Sequence, residues 1–230
     1  MAEKKRLGNR HLMRGLGLLY EDGALLVVDK PPGVLTMASD REDTRTVYYN
    51  LTNYVRKGNP KSRNRIFIVH RLDREASGIL VFAKTEQVKE ALQSNWEDVE
   101  KKYLVVVEGT FAEKSGTISS YLHESKAFIV YSTKDKSKGK LSRTAYTVLR
   151  EARGLSLLEV TLLTGRKHQI RVHMVEAGHP IVGDRKYGPK ARGKTRLALH
   201  AKSLAFTHPV TGQAICFETG VPLDIERLMA

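Results

Sequence analysis

His70, Arg71, Leu72 and Asp73 open a polar segment that continues through Arg74, Glu75, Ala76 and Ser77 and lies between two apolar runs, residues 66–69 and 78–83. Both runs read as strands, so the link has little room to wander and Asp73 must sit near the sheet. A carboxylate there, with Arg71 before it and Arg74 after, either forms a structural ion pair or does chemistry in a cleft. The second cluster is Thr164-Gly165-Arg166-Lys167-His168-Gln169-Ile170-Arg171-Val172-His173. Arg166 and Lys167 stand at an expected helix start, where the macrodipole disfavours cations by about 0.3–1 kcal/mol. An anion should offset that, either an RNA phosphate gathered by the helix-start N–H groups and the two cations or a carboxylate of the protein. His168 and Arg171 are three apart and share a helix face, with Val172 and Val175 near enough to anchor that side in the core. Ordinary packing or surface placement is the plain alternative for the histidines. Zinc is poorly served: His168 and His173 are about 500° apart around a helix, and no HExxH pattern is present.

The elements that must position these residues are legible in outline. Residues 24–29 form a short apolar strand closed by the rigid turn Lys30-Pro31-Pro32-Gly33. Val47, Leu51, Tyr54 and Val55 recur at helical spacing until Gly58 and Pro60 end the helix. Thr85 caps a helix expected through Val88, Leu92, Asn95 and Val99, and residues 103–107 are strand-like. Residues 109–139 are polar and read as hairpins and loops, with short strand pieces near Ile118 and at 128–131. Strands follow at 145–149 and 155–163, then a helix at 167–177 stopped by Gly178, then strands 197–205 and 214–219 joined by a His208-Pro209-Val210-Thr211-Gly212 turn. This alternation lacks regular βαβ units. The expected fold is α+β: one domain over residues 18–230 with a central mixed, mostly antiparallel sheet flanked by helices and loops, preceded by a basic extension at 1–17.

Composition narrows the partners. The 230 residues carry 39 Lys plus Arg against 25 Asp plus Glu, a formal charge of +14. Windows 4–10, 56–65, 134–143 and 185–196 hold 20 of those cations and a single acid, Asp135. Several separated basic patches suit RNA, because each phosphate contact releases counter-ions; solvated loops are the plain alternative. No apolar run approaches the roughly 20 residues of a membrane span, and the polar N-terminus offers no signal peptide, so a cytoplasmic protein is expected. Cys216 stands alone, which excludes an internal disulfide and a cysteine-based zinc site.

The segment from His70 to Leu80 resembles the signature of the RluA family of RNA pseudouridine synthases. Other hallmarks follow in order: Lys30-Pro31-Pro32-Gly33, Lys102-Tyr103, the run from Thr164 to His173, Pro180-Ile181-Val182-Gly183-Asp184, and Leu199-His200-Ala201. The resemblance spans residues 18–222. It implies the pseudouridine synthase fold with a cleft across the sheet, makes Asp73 the catalytic carboxylate, Tyr103 the active-site aromatic and Arg171 the cation paired with that carboxylate. It also makes Arg71 the residue that helps fill the space left by a flipped nucleotide, and it implies no metal and no cofactor. With about 16 residues before the first strand, an S4-type RNA-binding domain is not expected.

The residue types suit that chemistry. Uridine must be cut at C1′–N1 and rejoined at C5, which needs an ionised carboxylate and then a group to take or relay the C5 proton. The uridine must also leave its stack, at a cost of a few kcal/mol. RNA contacts are expected from Arg71, Arg166, Lys167 and His168, on rRNA, tRNA or mRNA, by a monomer without membrane or protein partner. Two other readings remain at this point. One is a catalytically inactive RNA-binding or ribosome-assembly module on the same fold; the other is a metal-dependent nuclease or N-glycosidase, which would want clustered carboxylates.

Overall fold

The structure is a computed structural model that describes residues 12–38, 44–189 and 195–230. The basic window 4–10, most of the extension 1–17 and the middle of window 185–196 lie outside the described residues. The described chain forms two compact units: unit 1 runs to Trp96 and adds His208–Gln213, and unit 2 holds the rest.

Unit 1 contains β1 (Gly17–Glu21), β2 (Leu25–Lys30), α1 (Val47–Val55), β3 (Phe67–Ile68), β4 (Ser77–Ala83) and α2 (Glu86–Ser94). β4 is buried along its whole length, and β2 and β3 both pair with it in antiparallel register, β3 only at Phe82 and Ala83. Thr46 and Thr85 cap the two helices, accepting from the N–H groups of Tyr49 and Val88 at 3.1 and 3.2 Å. The α2 helix is shorter than its apolar spacing suggests. It ends at Asn95, whose side chain folds back to the Ala91 carbonyl, and Val99 is buried outside the helix.

Unit 2 contains β5 (Glu100–Glu108), β6 (Ser115–Glu124), β7 (Val130–Thr133), β8 (Lys140–Ala152), β9 (Leu155–Leu162), α3 (Gln169–Glu176), β10 (Leu199–Thr207), β11 (Ala214–Glu218) and α4 (Leu223–Met229). Its strands pair antiparallel in the order β11-β10-β5-β9-β8-β6-β7. The α+β class is as expected, and one isolated parallel bridge joins Leu35 to Thr46. Two elements exceed the sequence reading. The short strand piece expected near Ile118 extends into the ten-residue β6, and α4 has no counterpart among the expected elements. Among the described residues no helix is long and apolar enough to cross a membrane.

Alternation and register decide which side chains share a face. Ser120, Leu122, Ser142 and Thr144 point to the side on which α3 packs, where His173 of α3 reaches both Ser120 and Thr144. Following the register across β8, β9 and β5 puts Tyr146, Val160 and Tyr103 on that same side.

His200 of β10 is 2% exposed, with Nε2 at 2.8 Å from Thr219 Oγ1. Burial, aided by the Arg196 charge, pushes its pKa down to about 4. Between the ordinary value near 6.5 and about 4, the unfolded chain takes up a proton that the folded chain refuses, so stability must fall as pH falls through that window. The full effect is about 3 kcal/mol. Unfolding free energies measured across this range should decline toward acid for the wild type, and His200→Gln should flatten the slope; equal slopes would mean the imidazole is protonated in the fold.

Candidate active site

In unit 1 the backbone on both sides of Asp73 is clamped. Lys30 closes β2 opposite Gly78 of β4, whose φ of 112° suits only glycine. The Lys30 side chain is wholly buried and turns back on the chain, Nζ donating to the carbonyls of Pro31 and Val34, both at 2.9 Å, and of Arg74 at 3.1 Å. The Gly33 N–H donates to that same Arg74 carbonyl at 2.8 Å, and Arg74 Nε returns a bond to the Gly33 carbonyl at 3.1 Å. One residue before Asp73, Thr36 Oγ1 accepts from the Leu72 N–H at 3.3 Å and donates to the Leu72 carbonyl at 3.2 Å. Asp73 opens a turn in which the Ala76 N–H meets its carbonyl at 3.2 Å.

The side chains around that clamp divide by exposure. Asp73 is half-buried, while Arg71, Arg74 and Glu75 are exposed. The Arg74–Glu75 pair at 3.8 Å, with both side chains more than half exposed, contributes little. His70 is structural: its Nε2 accepts from the Val81 N–H at 3.1 Å and its ring lies 4.6 Å from Trp96.

In unit 2 the start of α3 departs from the sequence reading. The helix begins at Gln169, and His168 is its N-cap in a left-handed conformation, φ 54°, so Lys167 and His168 lie ahead of the helix rather than in its first turn. Gln169 does the organising. Its Oε1 accepts from the Arg166 N–H at 3.0 Å and from Thr164 Oγ1 at 2.8 Å, and its Nε2 donates to the Arg143 carbonyl and Thr144 Oγ1, both at 2.9 Å. That is the full capacity of a glutamine, in a residue 2% exposed. The anion that the two cations require is in part the protein's own, because Lys167 pairs with Glu124. His168 Nδ1 lies 2.6 Å from the Tyr187 hydroxyl, which accepts from the Val130 N–H at 3.0 Å. His173 is fully buried, its ring nitrogens on Thr144 and Ser120 at 2.8 and 3.1 Å, and burial pushes its pKa down. It is a packed core histidine. Arg166 is exposed.

Arg171 is buried beside Asp184. Its Nε and Nη2 reach the two carboxylate oxygens at 2.8 and 2.7 Å, a two-point ion pair. Asp184 Oδ1 also accepts from the N–H groups of Lys186 and Tyr187 at 2.9 and 3.0 Å. Burial works against the charged carboxyl, but Arg171 and those two N–H groups outweigh it and hold Asp184 below its usual range. The guanidinium also lies 5.0 Å from the Tyr187 ring centroid. Neither Gln169 nor Asp184 stands out as a site residue in the sequence. A glutamine five residues after a threonine at a helix start is the available signal for the first; the second has none beyond its place in the Pro180–Asp184 run. Tyr103, half-buried on β5, shares the α3 side of the sheet.

Within unit 1, residues 56–65 lie away from Asp73. Lys30 and Gly78 stand at one end of the β2–β4 pair, and Leu25 and Ala83 at the other, roughly 17 Å away. The window belongs to the far end: Tyr54 donates to Glu21, Glu21 pairs with Lys84, and Arg65 lies over the ring of Phe67, which pairs with Ala83. The α1 helix carries the chain there from Leu35 and Thr36, whose carbonyls accept from Val47 and Tyr48.

The chain as a whole is similar to known proteins. Residues 24–176 match the family model for RNA pseudouridylate synthase. The chain is 36% identical over 231 residues to the ribosomal large subunit pseudouridine synthase D of Xanthomonas campestris, covering 94% of this chain and 69% of that protein. It is 34% identical to the RNA pseudouridine synthase YhcT of Bacillus subtilis, covering 93% and 71%. The solved human RNA pseudouridylate synthase domain containing 1 superposes with a TM-score of 0.72 at 28% identity, over 90% of this chain and 83% of that one. By this family match and these identities, the chain belongs to the RNA pseudouridine synthases of the RluA family, isomerases that convert uridine to pseudouridine in RNA.

Proposed function

We propose that Asp73 is the catalytic carboxylate of this enzyme, that residues 18–230 work together as its catalytic domain, and that its substrate is ribosomal RNA of the large subunit. The observation that carries the first part is the clamp. Four hydrogen bonds to the main chain of Leu72 and Arg74, together with the Asp73 turn, fix the backbone on either side of a half-buried carboxylate. A group that must meet the ribose of a flipped uridine gains from being held in place beforehand, since orientation lowers the barrier before any bond changes. The relatives named for ribosomal large subunit RNA support the substrate.

On this reading the C1′–N1 bond breaks with Asp73 ionised, the uracil turns within the site, C5 bonds to C1′, and the C5 proton leaves while N1 gains one. Tyr103 takes or relays the C5 proton. Arg171 serves the same reaction as the buried cation that the resemblance assigns, and Arg71 fills the space that the flipped nucleotide leaves.

Asp73→Asn should fold and bind RNA like the wild type while turnover drops by at least about 1,000-fold. Tyr103→Phe should lose about 100- to 10,000-fold in kcat with little change in RNA affinity. Pseudouridine mapping of large-subunit ribosomal RNA treated with each variant measures both, and turnover by Asp73→Asn near the wild-type rate would remove Asp73 from the mechanism.

The far-end window holds flanking RNA rather than the reacting uridine. Lys57, Lys61 and Arg63 are exposed there. Changing all three to Ala should flatten the salt dependence of RNA affinity by about 0.7–0.9 for each phosphate that is no longer neutralised, and leave kcat at saturating RNA unchanged. An unchanged slope would make this window a solvated loop.

A further inference from the structure

The tip of the β6–β7 hairpin carries a feature that the reaction does not account for. Phe128 is 68% exposed and holds a φ of 59°. A bulky residue in the left-handed region is an outlier that the surrounding structure must enforce. The enforcement is visible. Phe128 donates its N–H to the Ser125 carbonyl at 2.9 Å, Ser125 and Ile129 close the turn at 2.8 Å, and Lys186 Nζ grips the Phe128 carbonyl at 2.7 Å. The result is an aromatic ring held out in water on a hairpin whose buried side, Leu122 and Val130, is packed against Val172 of α3.

The surroundings of the ring are cationic. Lys167 Nζ stands 5.2 Å from its centroid, Lys186 lies beneath its carbonyl, and Lys126 is exposed two residues away; these three cations outnumber Glu124, the carboxylate that pairs with Lys167. An exposed aromatic face edged by lysines is the arrangement that stacks an unpaired base while its phosphates are neutralised. A protein surface would reward the ring but not the cations; a duplex would reward the cations but not the ring.

We propose that Phe128 is a base-stacking contact for single-stranded RNA, with Lys126, Lys167 and Lys186 neutralising the adjoining phosphates. The inference rests on the chain acting on RNA and not on the role of Asp73. Pseudouridine formation by the wild type tests the enzyme separately.

The test compares the affinity of a short oligoadenylate with that of an abasic ribose-phosphate strand of equal length, for wild type, Phe128→Ala, Phe128→Gly, Phe128→Trp and Lys126→Ala. Stacking of one base is expected to give the wild type a preference for oligoadenylate of between about 5-fold and about 100-fold. Phe128→Gly suits the turn and should fold at least as well as the wild type, yet it and Phe128→Ala should bind the two strands nearly alike, while Phe128→Trp retains the preference. Lys126→Ala should weaken both strands equally and flatten the salt slope. A preference that survives in the Ala and Gly variants, or a loss that falls equally on both strands, would overturn the proposal.

Discussion

A wholly buried ammonium group fixes the geometry of unit 1 where it matters. Taking the Lys30 charge out of water costs several kcal/mol, and the protein offsets this by aiming three carbonyls at it. Two of them belong to the turn that Lys30 itself begins; the third belongs to Arg74, more than forty residues later. Because the cation has to find acceptors, the Pro31–Val34 turn and the Asp73 segment are obliged to meet. Thr36 and Gly33 then add bonds from the same stretch to Leu72 and Arg74. Asp73 is thereby positioned through the main chain of its two neighbours.

Unit 2 solves a related problem with a different device. The α3 helix contributes Gln169, Arg171 and His173, all buried, to a side of the sheet lined by Ser120, Ser142 and Thr144. Each of the three polar side chains of α3 has partners of fitting chemistry. Gln169 uses all of its capacity, His173 is held neutral between two hydroxyls, and Arg171 meets Asp184 at two points. Fully satisfied polar groups in a low-dielectric setting hold a rigid register, whereas removing one partner strands the others. Asp184 carries this order onward, since it orients Lys186 and Tyr187, and Tyr187 in turn holds His168 and Val130.

Much of this is legible in the chain, and what is not has physical reasons. Apolar runs locate the buried strands β2 and β4 closely, and Thr85 marks a helix start, because such signals are local. The length of β6, of which the sequence shows only a short piece near Ile118, is masked by its composition: Ser, Gly and Thr dominate it, and only Leu122 is fully buried. The sequence shows Lys30 at the start of a rigid turn, but nothing local reveals that the Arg74 carbonyl awaits its ammonium group. The same holds for Arg171 and Asp184, whose pairing depends on the path of the intervening loop. Window 56–65 lies away from the Asp73 turn although it is close to the His70–Asp73 segment in sequence, because α1 carries the chain to the other end of the sheet.

The control that the Lys30 ammonium exerts over the position of Asp73 is open to a direct test. Lys30→Met keeps the length and apolar stem of the side chain while removing the donor that three carbonyls share, of which that of Arg74 keeps only the Gly33 N–H. The measurement is kcat for pseudouridine formation at saturating RNA, taken below the unfolding transition of the variant, alongside RNA affinity. A displacement of the carboxylate by about 1 Å should reduce kcat by about 100-fold with affinity unchanged. A folded Lys30→Met enzyme that turns over at the wild-type rate would contradict the account.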